Sequence, residues 1–444
     1  MFFFWMFPRQ FATLLPMSIC SSASRNPWFF LPTLYFAEGL PYVLINTVSV
    51  ILYKRMGIDN VDIAFWTSWL YLPWVIKMFW GPFVDVYATK RKWILATQTA
   101  MSLCMFLIAF SLRAESFFYL SLAAFFAGAF VSATYDIAAD GFYMLALPEK
   151  EQALFVGLRA GFYRLAMIFG TGFLVYTAGM LEMSSGNISR SWSMVMSLSG
   201  VIFIAAAIYH KFLLPFPVSD GRRTAGEKNN GSSFGEVLRA YFRQEKIGVM
   251  LAFILFYRLG EAMLLKLVSP FLLDQASAGG LGLTTKEVGL VYGTIGVVCL
   301  VSGGILGGWL IARFGFKRCV WPMVVMMHLP DLFFVYMANA QPGIRLVYPL
   351  VALEQFGYGL GFTVFTVYLM YSAMGKYKTS HYAISTGIMA LGMMLPGFVS
   401  GWLQQEVGYR MFFVIVCMLT VPGMLTIPFL PKDRLEMSKE VAKS

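Results

Sequence analysis

The sequence predicts an all-α membrane protein with 12 transmembrane helices in two six-helix bundles, and three observations carry that expectation. Hydrophobic residues make up 58% of the 444 positions, charged residues 13%, and the mean hydropathy is +0.67. A soluble domain is nearer half apolar and a quarter charged, so the solvent here is mostly lipid. Apolar runs of about 20 residues, enough to cross a ~30 Å hydrocarbon core as a helix, recur as six plus six. A short basic turn also occurs twice. Gly81-Pro82-Phe83-Val84-Asp85-Val86-Tyr87-Ala88-Thr89-Lys90-Arg91 is followed 227 positions later by Gly308-Trp309-Leu310-Ile311-Ala312-Arg313-Phe314-Gly315-Phe316-Lys317-Arg318, with glycine and the Lys-Arg pair in register. The strict apolar–polar alternation of a membrane β-barrel is absent.

Residues 1–27 form a leader. Met1 to Pro16 is apolar and aromatic, lacks a basic start and is too short to span, and Met17 offers an alternative start. The first bundle (28–214) holds candidate spans near 28–53, 62–84, 93–112, 117–145, 153–180 and 191–213. Glu38-Gly39-Leu40-Pro41 is expected to interrupt the first of them. Residues 215–247 read as a solvated linker, rich in turn formers at Ser219-Asp220-Gly221 and Lys228-Asn229-Asn230-Gly231. Within it Phe234, Val237, Leu238, Tyr241 and Phe242 recur at helical spacing, as in an amphipathic helix lying on a membrane leaflet. The second bundle (248–430) has spans near 248–273, 287–311, 319–340, 346–374, 382–404 and 409–430, before a tail at 431–444.

Lys and Arg set the orientation. With a cytoplasmic N-terminus, 22 fall on inner segments and 7 on outer ones, the other 5 of 34 lying within spans. That excess puts both termini, the linker and both basic turns inside the cell. It also accounts for the net charge of +11 without nucleic acid, because no domain exists to present a groove-binding element. Five scattered cysteines form no Cys-x-x-Cys pair, so neither a metal site nor a disulfide framework is expected. No cofactor or enzyme motif is present, and energy for any transport would come from an ion gradient.

Charges inside spans are costly and therefore informative. They are Glu38, Lys77, Asp136, Asp140, Arg159, Arg164, Arg258, Glu261, Lys266, Asp331 and Glu354. Asp136 and Asp140, four apart, share a helix face, and two such carboxylates favour a held proton. The alternative is that Arg159 and Arg164 on the next span neutralise both and lock two helices together. Glu38 is the third proton-coupling candidate. Lys77, Arg164 with its neighbour Tyr163, Arg258, Glu261 and Glu354 are substrate-binding candidates; Arg258 and Glu261, three apart, read equally well as an intrahelical pair. His328 lies one turn from Asp331.

Two six-helix halves with a basic turn after the second helix of each resemble the major facilitator superfamily. Its loop signature, Gly-x-Leu-Ala-Asp-Arg-x-Gly-Arg-Lys, is matched by Gly81, Asp85, Lys90 and Arg91 in the first copy. Gly308, Leu310, Arg313, Gly315, Lys317 and Arg318 match in the second, where Ala312 replaces the usual aspartate. The resemblance implies a gating role for these residues, with Asp85 as a latch. More closely, Glu38-Gly39-Leu40-Pro41, Lys77-Met78-Phe79-Trp80-Gly81-Pro82, Asp136-Ile137-Ala138-Ala139-Asp140, Tyr163-Arg164-Leu165 and Tyr257-Arg258-Leu259-Gly260-Glu261-Ala262 are similar to AmpG-like muropeptide permeases and related acetyl-CoA transporters. That family implies a monomeric symporter in the bacterial inner membrane. Its partners would be protons, the lipid bilayer and a small-molecule substrate, an anionic sugar-peptide of the anhydro-muropeptide class. A siderophore, an acyl-CoA-like solute or a non-transporting receptor on the same fold stay open at this point.

Overall fold

In a computed structural model of the chain, residues 26–217, 234–373 and 377–430 are described, and every regular element among them is helical. Ten stretches are long and apolar enough to cross a bilayer. In the first half these include α1 (Pro27–Arg55), α3 (Lys90–Ser111), α4 (Phe117–Ala146) and α6 (Ile188–Leu213), together with Leu158–Ser185 of α5 (149–185). The remaining element, α2 (60–87), is a chain of short α and 3-10 segments broken around Pro73 and Gly81-Pro82. Proline removes a backbone donor and clashes with the preceding turn, so α2 bends where a straight helix would not.

A short helix α7 (Phe234–Phe242) precedes the second half: α8 (Ile247–Leu273), α9 (Thr285–Phe314), α10 (Phe316–Ala340) and α11 (Ile344–Ser372). A continuous helical stretch, Lys378–Thr426, follows, with non-helical Gly408 (φ 72°, ψ 165°) inside it. Only glycine adopts that backbone readily, so the stretch is two spans, α12 (378–407) and α13 (409–426). With α2 and this division the count is 12 membrane helices, as expected.

The first helix differs from its expected course. Pro41 lies inside a continuous α1, and the distortion appears just beyond it as a π turn over Leu44–Val48. A widened turn accommodates the hydrogen bond that proline removes without breaking the helix. The linker helix also differs. Val237 and Tyr241 on α7 are buried against Ile384 of α12, and the Tyr241 hydroxyl lies 2.8 Å from Ser385 Oγ, so protein rather than lipid covers much of its apolar stripe. The leader before residue 26, linker residues 218–233 and the tail 431–444 lie outside the described residues.

Within the first half α3 packs on α4 and α6, and α1 on α5; within the second, α9 and α10 pack on α11, and α8 on the α12–α13 stretch. The halves meet along α5 with α9 and α2 with α12, with a smaller contact of α1 with α8. Large apolar side chains such as Leu103, Phe110, Ile208, Phe212, Ile305, Trp402 and Leu425 point outward, as lipid requires.

Candidate functional site

Asp136 and Asp140 sit one turn apart on α4, but they take different partners. Asp136 accepts a hydrogen bond from Trp74 Nε1 at 3.0 Å and pairs with Lys77 Nζ at 3.5 Å, both on α2. The broken course of α2 turns these two side chains toward α4. Asp140 pairs with Arg159 of α5, whose guanidinium lies 4.6 Å and 5.1 Å from the ring centres of Tyr35 and Tyr143. Glu38 on α1 is buried, and its Oε2 has no hydrogen-bond partner; the charges it feels are those of Asp140, Asp136, Arg159 and Lys77. Asp136 and Asp140 thus hold separate ion pairs, and Glu38 lies within reach of both charges.

Arg164 joins neither pair. Five residues beyond Arg159 it is turned about 140° round α5, and it crosses to the other half, where its NH1 donates to the Val301 carbonyl of α9 at 3.4 Å. Tyr163 lies between, its ring 6.3 Å from that of Tyr42 and its carbonyl against Gly39 of α1.

In the second half, Arg258 occupies the break between Ile247–Phe256 and Leu259–Leu273. Its NH2 donates to the Tyr358 hydroxyl at 2.5 Å, and its guanidinium stands 5.0 Å from the centre of the Phe362 ring. Among the described residues no ion pair joins it to Glu261. Glu261 is fully buried and turned elsewhere, with one oxygen each of Glu261, Asp331 and Glu354 within 4.8 Å of one another. His328 Nδ1 is 3.5 Å from Asp331, and Gln355 Nε2 donates to Glu354 at 3.0 Å. These three carboxylates are the group of described residues whose spacing could hold a cation.

Between the halves is a small cavity of about 120 Å³. Tyr42, Asn46, Tyr71 and Thr171 line it from the first half, and Arg258, Lys266, Tyr292, Gln355 and Tyr358 from the second. Its lining contains two bases and no acid. Lys266 Nζ donates to Thr67 Oγ1 at 3.0 Å and lies 5.3 Å from the centre of the Tyr71 ring. Of the substrate-binding candidates Arg258 lines this cavity, and Lys77, Tyr163, Arg164, Glu261 and Glu354 do not.

Among the described residues, polar ties between the halves gather at the end far from the linker. There Lys54 pairs with Asp274 at 2.6 Å, while Asn60 donates to Gln404 at 2.7 Å and the Tyr409 hydroxyl donates to Asp274 at 2.7 Å. Glu182 of α5 accepts from Arg55 NH2 at 2.9 Å, Trp192 Nε1 at 2.8 Å and Thr285 Oγ1 of α9 at 2.7 Å. Just beneath, α5 and α9 cross backbone to backbone: a Cβ on Gly293 would stand 2.0 Å from the Thr171 carbonyl oxygen, and one on Gly289 2.6 Å from the Tyr176 nitrogen.

The basic turns lie at the opposite end. In the first copy the Lys90 side chain packs against Gly141 of α4, and Gly81 has open space where a side chain would be. Arg91 donates to the Lys211 and Leu214 carbonyls at the end of α6 and lies over the Phe216 ring. The side chain of Asp85 lies outside the described residues. In the second copy Gly315, at φ 83°, makes the whole turn from α9 to α10; Arg313 lies over the Phe314 ring, Lys317 and Arg318 are exposed, and Gly308 faces open space.

The sequence profile of the Major Facilitator Superfamily matches residues 28–376. The chain belongs to that superfamily. It is similar to the anhydromuropeptide permease of Escherichia coli K12, at 24% identity over 400 residues that cover 88% of this chain and 77% of the permease. An AmpG-named relative in Rickettsia conorii is 23% identical over 413 residues, 88% of this chain and 94% of the relative. Among solved structures, a D-xylose-proton symporter superposes with a TM-score of 0.72 at 10% identity, covering 91% of this chain and 97% of its own. The nucleoside transporter NupG gives 0.69 at 14% identity, covering 91% and 100%. As a major facilitator protein the chain is a multi-pass membrane transporter acting on a small molecule.

Lys266 is among the intramembrane charges to which the sequence assigned no role, and Glu182 and Asp274 are not among those charges. Lys266 had a usable signal, since it shares one helix with Arg258. The partnerships of Glu182 with Thr285 and of Asp274 with Lys54 had none, because they join residues 103 and 220 positions apart.

Proposed function

We propose that the chain imports anionic sugar-peptides of the anhydro-muropeptide class across the bacterial inner membrane, in symport with protons, by alternating access between the bundles 28–214 and 248–430. The observation that carries this reading is the cavity between the halves, whose lining offers two cations, two carboxamides and several tyrosine hydroxyls but no acid. Carboxylates meet Arg258 and Lys266 there, and sugar hydroxyls and peptide groups meet Asn46, Gln355 and the tyrosines. The similarity to a permease for anhydro-muropeptides supports the same class.

With both termini and the 215–247 linker in the cytoplasm, the tied end is periplasmic. Protons act at Glu38, Asp136 and Asp140. A proton on Asp136 cancels the charge that holds Lys77, and so loosens α2 from α4 at the point where α2 is already broken. Gly81, Asp85, Lys90 and Arg91, with Gly308, Arg313, Lys317 and Arg318 in the second half, gate the cytoplasmic end. Arg164 bridges the halves behind the cavity and carries the movement of α5 to α9. The transporter works as a monomer, since each chain contains the whole cavity.

The deciding experiment is uptake of a labelled anhydro-muropeptide into proteoliposomes with and without an inward proton gradient. Gradient-dependent accumulation is expected, and Asp136→Asn should abolish uphill uptake while leaving exchange down a gradient. Full uncoupler-sensitive accumulation by Asp136→Asn would overturn the coupling role. Failure to take up the muropeptide would overturn the substrate.

A further inference from the structure

We infer that Arg258 and Lys266 form a two-point clamp for a solute bearing two anionic groups about 12 Å apart, and that this clamp, not the cations of the first half, sets substrate charge. The inference rests on the transport reading above and names the charge pattern of its substrate.

Both cations lie on the second half, eight positions apart, Arg258 at the N-cap of Leu259–Leu273 and Lys266 within it, which at 1.5 Å per residue sets their backbones about 12 Å apart along the axis. Both are buried and both line the cavity. Among the described residues neither forms an ion pair: Lys266 is held by the Thr67 hydroxyl and the Tyr71 face, and Arg258 by the Tyr358 hydroxyl and aromatic rings, with its Nε left without a hydrogen-bond partner. Glu261 lies one turn from Arg258, but its carboxylate turns to Asp331 and Glu354. A buried cation held only by neutral groups carries a desolvation cost that no counter-charge offsets, and an anionic group of the substrate would relieve it.

The first-half cations are differently placed. Lys77 is paired with Asp136 and Arg159 with Asp140, and neither lines the cavity. The clamp also spans the interface, because Lys266 donates a hydrogen bond to Thr67 on α2 of the opposite half. An anion at Lys266 competes with Thr67 for the ammonium, and so loosens a contact between the halves as it binds.

The test is equilibrium binding to the purified full-length transporter in detergent, followed by tryptophan fluorescence. One probe series is straight-chain dicarboxylates of increasing length; the other is a muramyl tripeptide and its fully amidated form. The wild type should bind best the dicarboxylate whose charges are about 12 Å apart, and should prefer the carboxylated tripeptide at least tenfold. Lys266→Gln should flatten the length optimum and reduce the tripeptide preference about tenfold, and Lys266→Arg should restore part of both. Retained binding of a monocarboxylate by Lys266→Gln certifies its fold; without it, the Lys266→Arg and Arg258→Lys variants carry the test. An unchanged length optimum in Lys266→Gln, or wild-type binding indifferent to length, overturns the clamp. A length optimum with no tripeptide binding keeps the clamp and overturns the muropeptide reading.

Discussion

Gly293→Ala is the sharpest perturbation available, because it acts where the backbones of the two halves touch. The added methyl would stand 2.0 Å from the Thr171 carbonyl oxygen, 2.3 Å from its carbon and 2.6 Å from the Gly172 nitrogen. Restoring an ordinary contact of 3.4 Å requires α5 and α9 to part by about 1.4 Å. All three opposing atoms are backbone, so no rotamer change relieves the clash. Overpacking of this kind costs about 1–3 kcal/mol, and only in the conformation where the helices cross. At about 1.4 kcal/mol per tenfold, the closed population at this end should fall by roughly 5- to 150-fold relative to the open one. The assay is a spin-label distance between Ser184→Cys and Ser277→Cys, both exposed at this end, in a background with the native cysteines replaced. A shift to longer distances with slower uptake is expected. Gly161→Ala, on the same α5 but with nothing within 4 Å of the new methyl, is the control and should leave both unchanged. An unaltered distance distribution in Gly293→Ala would refute the claim that this crossing closes the transporter.

Further outcomes follow from the same geometry. Lys54→Ala removes a partly exposed ion pair between the halves, and should shift the same distance distribution by about 1 kcal/mol toward opening; the exchange Lys54→Asp with Asp274→Lys should reverse most of that shift. Arg91→Ala loses two bonds to the end of α6 and the contact with Phe216. It should lower the melting temperature by an amount equivalent to about 1–3 kcal/mol, and Arg91→Lys should not restore it, which thermal unfolding in detergent will report. Glu261→Gln removes a buried carboxylate with no hydrogen-bond partner, and is expected to raise the melting temperature by about 2–4 °C; a fall would mean that its charge is balanced in the membrane by a bound cation.

The candidate site was legible in its parts and only partly in its pairings. Asp136 and Asp140 were visible as neighbours because helix periodicity places residues four apart on one face. Arg159 was expected as a counter-charge and pairs with Asp140, Lys77 reaches Asp136 through the break in α2, and Arg164, expected beside them, points to α9. Arg258 and Glu261 illustrate the same limit. Spacing made them a plausible pair, but the helix break at Arg258 and the proximity of Asp331 and Glu354 separate them. Pro41 warned of a distortion in α1 and could not say that a π turn would absorb it.

The sequence by itself determined the solvent, the number of spans, the division into halves and the superfamily, because hydrophobic run length and a repeated turn are local quantities that lipid and chain geometry impose segment by segment. Only the tertiary structure decided which charges face the cavity and which face one another. That choice depends on the rotation of each helix about its axis and on its crossing with helices from the other half. Lys266, 199 positions from the Thr67 hydroxyl that holds it, and Gly293, pressed against Thr171, acquire their roles only once those crossings exist.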